Sequence, residues 1–176
     1  MTPSNSASQE IRSTENQRTR ILGIDYGRAR IGLAIADAAT SLPQPLDTLE
    51  RINRNEDMRR LREIARDHAV KQIVVGLPLR LDGTRGDMAE EVTRFAMRVR
   101  KQVGVPVELV DERLTSWEAE RLLEEQSGRT LRDSDAGRKK RQSKESRATV
   151  DAVAAAVILK EYLDRRHATK HTPENI

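Results

Sequence analysis

The chain has 176 residues, 34% of them charged and 36% hydrophobic, and its 32 Lys and Arg outweigh 28 Asp and Glu for a formal charge of +4. That length suits one domain with a sizeable core. Cysteine is absent, which excludes disulfides, thiolate metal sites and a cysteine nucleophile, and no apolar run approaches the roughly 20 residues that span a bilayer, so a cytoplasmic protein without membrane attachment is expected.

Residues 1–20 are polar and lack apolar periodicity, which predicts a disordered leader before a domain over 21–164. Ile21, Leu22 and Ile24 form a short apolar run ending in Asp25, Tyr26 and Gly27 turn the chain, and residues 31–36 form a second run. The pattern predicts a buried hairpin with a carboxylate at the end of its first strand. A short edge strand is expected over 46–49, after Pro43 and Pro45. Met58, Leu61, Ile64, Ala65 and Ala69 recur at helical spacing and predict an amphipathic helix over 56–69. Residues 71–77 include IVVGL, too uniformly apolar for a half-exposed strand, and predict an interior parallel strand covered on both faces.

The Asp82-Gly83-Thr84 turn leads into an expected helix over 87–103 with Met88, Val92, Phe95, Ala96 and Val99 inward. A strand over 105–110 follows, with Pro106 at its start, and runs into Asp111-Glu112-Arg113; Thr115 or Ser116 then caps a helix to about 126. Residues 127–146 read as a mobile basic loop. From 128 to 147 eight bases face three acids, a local charge of +5 that leaves the rest of the chain at −1. Such a run is either a solvated loop or an arm for a polyanion. With only 2% aromatic residues, an arm including Lys139, Lys140 and Arg141 would hold phosphates rather than stack bases.

The last helix is expected over 148–163, its apolar stripe Val150, Val153, Ala154, Val157, Ile158 and Tyr162, its alanines letting it lie close to a sheet; 165–176 read as a polar tail. A hairpin beside strands separated by helices indicates an α/β fold, a mixed sheet covered on both faces in a single domain.

Three acids sit where packing alone does not require them. Asp25 and Glu112 end apolar strands, at the edge where open α/β sheets place their sites, and Asp151 is the acid among the alanines of the last helix. Plainer readings exist for each: Asp25 as a turn aspartate paired with Arg28 or Arg30, Glu112 paired with Arg113, Asp151 capping its helix. Brought together, the three would repel one another and titrate high unless divalent cations neutralise them. Hard oxygen donors without His or Cys favour Mg²⁺ or Mn²⁺, and two such ions suit phosphodiester hydrolysis. His68, His167 and His171 are scattered, and no Ser-His-Asp arrangement is visible.

Taken together, GIDYGRARIGLAIAD, VVGLPLRLDGT, VDERLTS and VDAVAAAVIL resemble the YqgF (RuvX-type) family of RNase H-like proteins over about 21–163. Members have been called Holliday junction resolvases and are more often described as nucleases maturing the 5′ end of pre-16S rRNA. The resemblance implies an RNase H-like mixed sheet of five strands flanked by helices and a metal-dependent phosphodiester hydrolase. The family's acids fall on Asp25, Glu112 and Asp151, which would be both catalytic and metal-holding, while Arg113 and Thr115 match motif positions near the substrate. Gly27, Gly76, Pro78 and Gly83 also match. RuvC-type relatives often carry a further acid one helical turn after the last, where this chain has Ala154.

Nucleic acid is therefore the expected partner, pre-rRNA ahead of branched DNA, with the protein a monomer or homodimer. Two other classes compete. An actin-like ATP-binding protein also uses a strand-Asp-x-Gly turn, but would need a second such lobe; a non-catalytic assembly factor would keep the fold and bind without cleaving.

Overall fold

The structure is a computed structural model that describes residues 19–40, 42–80, 82–112 and 139–170. Five strands, β1 (Arg20–Tyr26), β2 (Arg30–Asp37), β3 (Gln44–Glu50), β4 (Val70–Leu77) and β5 (Val107–Asp111), form one sheet in the order β3-β2-β1-β4-β5. The β1, β2 and β3 pairings are antiparallel, while β4 runs parallel to both β1 and β5. Three helices, α1 (Arg54–Asp67), α2 (Asp87–Val103) and α3 (Lys139–Lys170), complete the described fold.

The two-residue period of the strands divides the core into two layers. Leu22, Ile24, Ile31, Leu33, Ile73 and Val75 face α1 and α2, where Met58, Leu61, Val92 and Phe95 close the larger cluster. Ile21, Ala34, Ala36, Val74 and Val110 face the other way and are covered by Ala155, Ile158, Leu159, Tyr162 and Leu163 of α3. The sheet is thus α/β, mixed and covered on both faces, as expected. Among the described residues no helix is long and apolar enough to cross a membrane.

Several boundaries differ from the sequence reading, for identifiable reasons. In α2 it is Ala89, fully buried, rather than Met88 that faces the sheet. Strand β5 begins at Val107, after Pro106, whose carbonyl accepts from Ile73 N at 2.9 Å. Helix α1 stops at Asp67 because Ala69 takes the left-handed region at φ 51°.

The largest correction concerns α3. Residues 139–146 are helical rather than loop, and the helix continues to 170, through what looked like the start of a tail. No Gly or Pro interrupts this span, and Lys160 to Asp164 and Arg165 to Glu161 pair at i,i+4 along its second half. Asp151 consequently lies in the helix interior and cannot be an N-cap. Arg20, expected at the end of the leader, instead opens β1, while residues 1–18 of the leader, the cap and helix after Thr115, and the loop over 127–138 fall outside the described residues.

Candidate functional site

The site is set by how closely α3 approaches the sheet. Its buried residues are Ala152, Ala155, Val157, Ile158, Leu159, Tyr162 and Leu163; of the stripe suggested by hydrophobicity Val157, Ile158 and Tyr162 are buried, while Val150, Val153 and Ala154 are only half-buried. Small residues win because the strands below also present small residues. A Cβ on Gly32 would overlap the Asp151 carbonyl and crowd Ala152 N, so only glycine lets the helix pass there. At the same crossing Thr48 Oγ1 of β3 donates to Ala148 O at 2.5 Å. Gly32 is also the cross-strand partner of Asp25 in the β1–β2 ladder. One register position therefore brings Asp151 over the strand pair that carries Asp25.

Glu112 arrives from the other side. It follows β5, which is registered with β4 so that Gly76 faces Val110 and Leu77 faces Asp111. Its carboxylate lies across Gly76, where a Cβ would overlap Oε1. Asp25, Glu112 and Asp151 thus gather on the α3 face of the sheet, at the C-terminal ends of β1, β4 and β5.

Their electrostatics reflect that gathering. Burial, and next the charge of Asp151, push the Asp25 carboxyl up from 3.8 to about 6. Burial, then Asp25 and Asp111, push Glu112 up from 4.5 to about 7. Each is a carboxyl whose ionised form is disfavoured by burial and by neighbouring acids, a cost that a bound cation would offset. The donor chemistry fits a hard divalent ion. Among the described residues no three His, Cys, Asp or Glu side chains yet converge closely enough to hold one, and Asp151 is engaged by Arg30, whose Nε donates to Oδ2 at 2.5 Å.

The turn after Asp25 is braced by residues that the sequence reading passed over. Arg51, just past β3, donates to the Tyr26 hydroxyl at 2.7 Å, to Gly27 O at 3.2 Å and to Asp57 Oδ2 at 3.0 Å, with its guanidinium 4.7 Å from the Tyr26 ring centre. Asp57 is buried in α1 and also accepts from Ile52 N. A signal was available: an acid next to Met58, on the apolar face of an amphipathic helix, needs a partner. Tyr26 then packs on Phe95 at 4.6 Å, and Arg28 reaches Glu91 of α2 at 2.6 Å. The arginines considered as partners for Asp25 therefore go elsewhere, Arg28 to Glu91 and Arg30 to Asp151.

Of the expected substrate-binding residues, Arg113 and Thr115 lie outside the described residues, and Lys139, Lys140 and Arg141 begin α3. An open cavity of about 1010 Å³, lined among others by Arg20, Asp37, His68 and Arg166, sits at the opposite end of β1 and contains none of the three acids.

The family model described as RuvX, Holliday junction resolvase, covers residues 19–165. The chain belongs to the RuvX (YqgF) family. A relative in Anaeromyxobacter sp. (strain K), which carries the provisional name pre-16S rRNA nuclease, is 46% identical over 84% of this chain and 98% of its own. One in Crocosphaera subtropica with the same name is 36% identical over 87% and 98%. Among solved structures, T. thermophilus RuvC in complex with Holliday junction substrate superimposes with a TM-score of 0.50 at 15% identity, covering 86% of this chain and 97% of RuvC. That likeness is one of fold, and it makes the sheet RNase H-like.

Proposed function

We propose that this RuvX-family protein is a divalent-cation-dependent endonuclease, with Asp25, Glu112 and Asp151 as its cation-holding and catalytic acids and the 5′ end of precursor 16S rRNA as its substrate. Membership of a family whose relatives are named nucleases supports the class, a hydrolase of phosphodiester bonds. The single observation that supports the site is the placing of Asp25, Glu112 and Asp151 on one sheet face, near enough that the charge of Asp151 raises Asp25 and that of Asp25 raises Glu112. Mg²⁺ or Mn²⁺ bound there, as a pair in the full site, would supply charge neutralisation at the scissile phosphate and activation of water.

The chain's own residues do the rest. Asp25 and Glu112, on rigid strand ends, fix the donors in place. Asp151 brings a third oxygen donor from a helix pinned by Gly32. The basic residues Lys139, Lys140 and Arg141, with Arg113 and Thr115, are the set proposed to hold substrate phosphates. Ala154, where RuvC-type relatives often carry an acid, leaves a three-carboxylate set, which favours a second cation that binds only along with substrate. Substrate choice follows the names of the relatives, which also favour the cytoplasm, where pre-rRNA is processed in bacteria.

The deciding experiment pairs two labelled substrates, a precursor 16S 5′-leader RNA and a four-way DNA junction, with Mg²⁺ or Mn²⁺, for wild type and Asp25→Asn. Cleavage of the RNA by wild type alone is expected. Cleavage of the junction alone would instead assign a resolvase, and undiminished cleavage by Asp25→Asn would remove Asp25 from the mechanism. Binding of either substrate without cleavage under any cation would leave an assembly factor.

A further inference from the structure

Two arginines sit at the β1–β2 end of the site, and their surroundings differ. Arg51 is held by Asp57, by the Tyr26 hydroxyl and by backbone carbonyls, so it cannot leave without breaking the turn. Arg30 is tied, among the described residues, to Asp151 alone, and its side chain is 30% exposed. It stands at the first residue of β2, two positions before Gly32 and hence on the same sheet face as the acids. A guanidinium in that position occupies one of the donors that a cation would need.

We propose that Arg30 is an exchangeable counter-ion: it neutralises Asp151 in the cation-free protein, yields that carboxylate to a divalent cation, and turns outward to hold a nucleic-acid phosphate. The proposal rests on the reading of the three acids as cation ligands and adds to it an order of events and a coupling. The exchange costs little in fold, because only the Arg30 carbonyl, which accepts from Gly27 N at 2.8 Å, closes the turn, while its side chain braces nothing there and its outer part already meets solvent. It is also favoured by charge. Once a cation sits on Asp151, the guanidinium is left beside a positive ion with its anion gone, and the nearest compensation is the polyanionic substrate. Because the cation and Arg30 compete for one carboxylate, a ligand that draws Arg30 away must tighten cation binding, and by reciprocity the cation must tighten binding of that ligand. Substrate and metal thus load together.

The test uses the full chain and two variants, Arg30→Met, which removes the charge at similar length, and Arg30→Lys, which keeps it. Mn²⁺ is titrated by calorimetry without and with a short single-stranded RNA, in Ca²⁺-free buffer at low temperature. The expected result for Arg30→Met is two opposite shifts: Mn²⁺ binding three- to tenfold tighter in the absence of RNA, because its competitor is gone, and RNA binding at least threefold weaker. The tightening of Mn²⁺ by RNA should shrink in Arg30→Met and persist in Arg30→Lys.

Unchanged or weaker Mn²⁺ binding by Arg30→Met would overturn the counter-ion role while leaving the acids as ligands. Absence of Mn²⁺ binding by wild type would instead overturn the cation site itself and this proposal with it. A readout on the wild-type protein, in which a variant serves only for assignment, guards against misfolding. In ¹⁵N-labelled wild type, the Arg30 Nε–H resonance, assigned by its loss in Arg30→Lys, should move from an ion-paired to a solvent-exposed position as Mg²⁺ is added. A resonance that stays fixed while Mg²⁺ binds would overturn the exchange.

Discussion

Asp25 and Glu112 carry the clearest residue-scale consequence. In the cation-free protein they titrate near 6 and 7, against ordinary values of 3.8 and 4.5. Between those limits the native state keeps protons that the unfolded chain has already released, so stability falls as pH rises from about 4 to about 7 and is flat beyond. Asp25→Asn and Glu112→Gln remove the penalty. Each should melt higher than wild type near pH 8, by an amount on the order of 1–3 kcal/mol, and show little difference near pH 4. A gap between variant and wild type that is the same at both pH values would show that the carboxyls are not held high. Saturating Mg²⁺ should close the gap at pH 8, since a cation binds the ionised carboxylates and stabilises only wild type. Of this site, the sequence alone made the three acids legible, because an acid ending an apolar strand or set among alanines has no packing reason to be there. Arg30 was less so, since its spacing from Asp25 suits a pair with that residue equally well and only the fold delivers Asp151 to it.

At the scale of elements, the crossing of α3 over β2 decides whether the third acid reaches the site. Gly32→Ala places a methyl against the Asp151 carbonyl, which is backbone and has nowhere to go. The variant should lose about 1–3 kcal/mol in denaturant unfolding and should lose cleavage more steeply than stability, because the helix that shifts carries Asp151. Gly86→Ala, whose methyl would meet only the end of the Arg80 side chain, should cost less, about 0.5–1 kcal/mol, because alanine is a poorer N-cap than glycine. Equal losses in the two would mean that the crossing is not tight. The Arg51–Asp57 pair offers a second element-scale prediction, since it fastens the turn after Asp25 to α1 from within the core. Asp57→Ala leaves the half-buried Arg51 guanidinium without its anion, though still held by the Tyr26 hydroxyl and backbone carbonyls, and should cost about 2–3 kcal/mol, whereas Arg51→Met with Asp57→Leu should cost much less than the two single losses combined. The strands and both helices of the α1–α2 layer could be read from periodicity, which is strong where one face is polar, whereas their order in the sheet could not. For α3 periodicity was half right: Val157, Ile158 and Tyr162 are buried as expected, but Val150, Val153 and Ala154 are only half-buried and the start was placed too late, because valine fits a core face only where the opposing surface has room for it. Here the sheet is paved with Gly32, Ala34 and Gly76, and the alanines turn inward.

For the whole molecule, what matters is where the charge lies. The chain's excess of +4 comes from residues 128–147, and the remainder is nearly neutral, so any grip on a polyanion is concentrated beside the start of α3 rather than spread over the surface. Lys139, Lys140 and Arg141 open the helix whose later turns carry Asp151, so phosphates held there would be tied mechanically to the acids through a single rigid element. Replacing the three by alanine should weaken single-stranded RNA binding to a similar degree whatever the sequence. It should also lower the slope of log affinity against log salt by about 2, the loss of three phosphate contacts at roughly 0.7 each. Asp25→Asn should leave that slope unchanged, because an acid releases no counterions from the nucleic acid. Filter binding at several salt concentrations separates the two variants. A slope untouched in the triple variant would move the phosphate grip to another face, and a sequence-dependent loss would mean that these residues read bases, which a chain with so few aromatic side chains is poorly equipped to do.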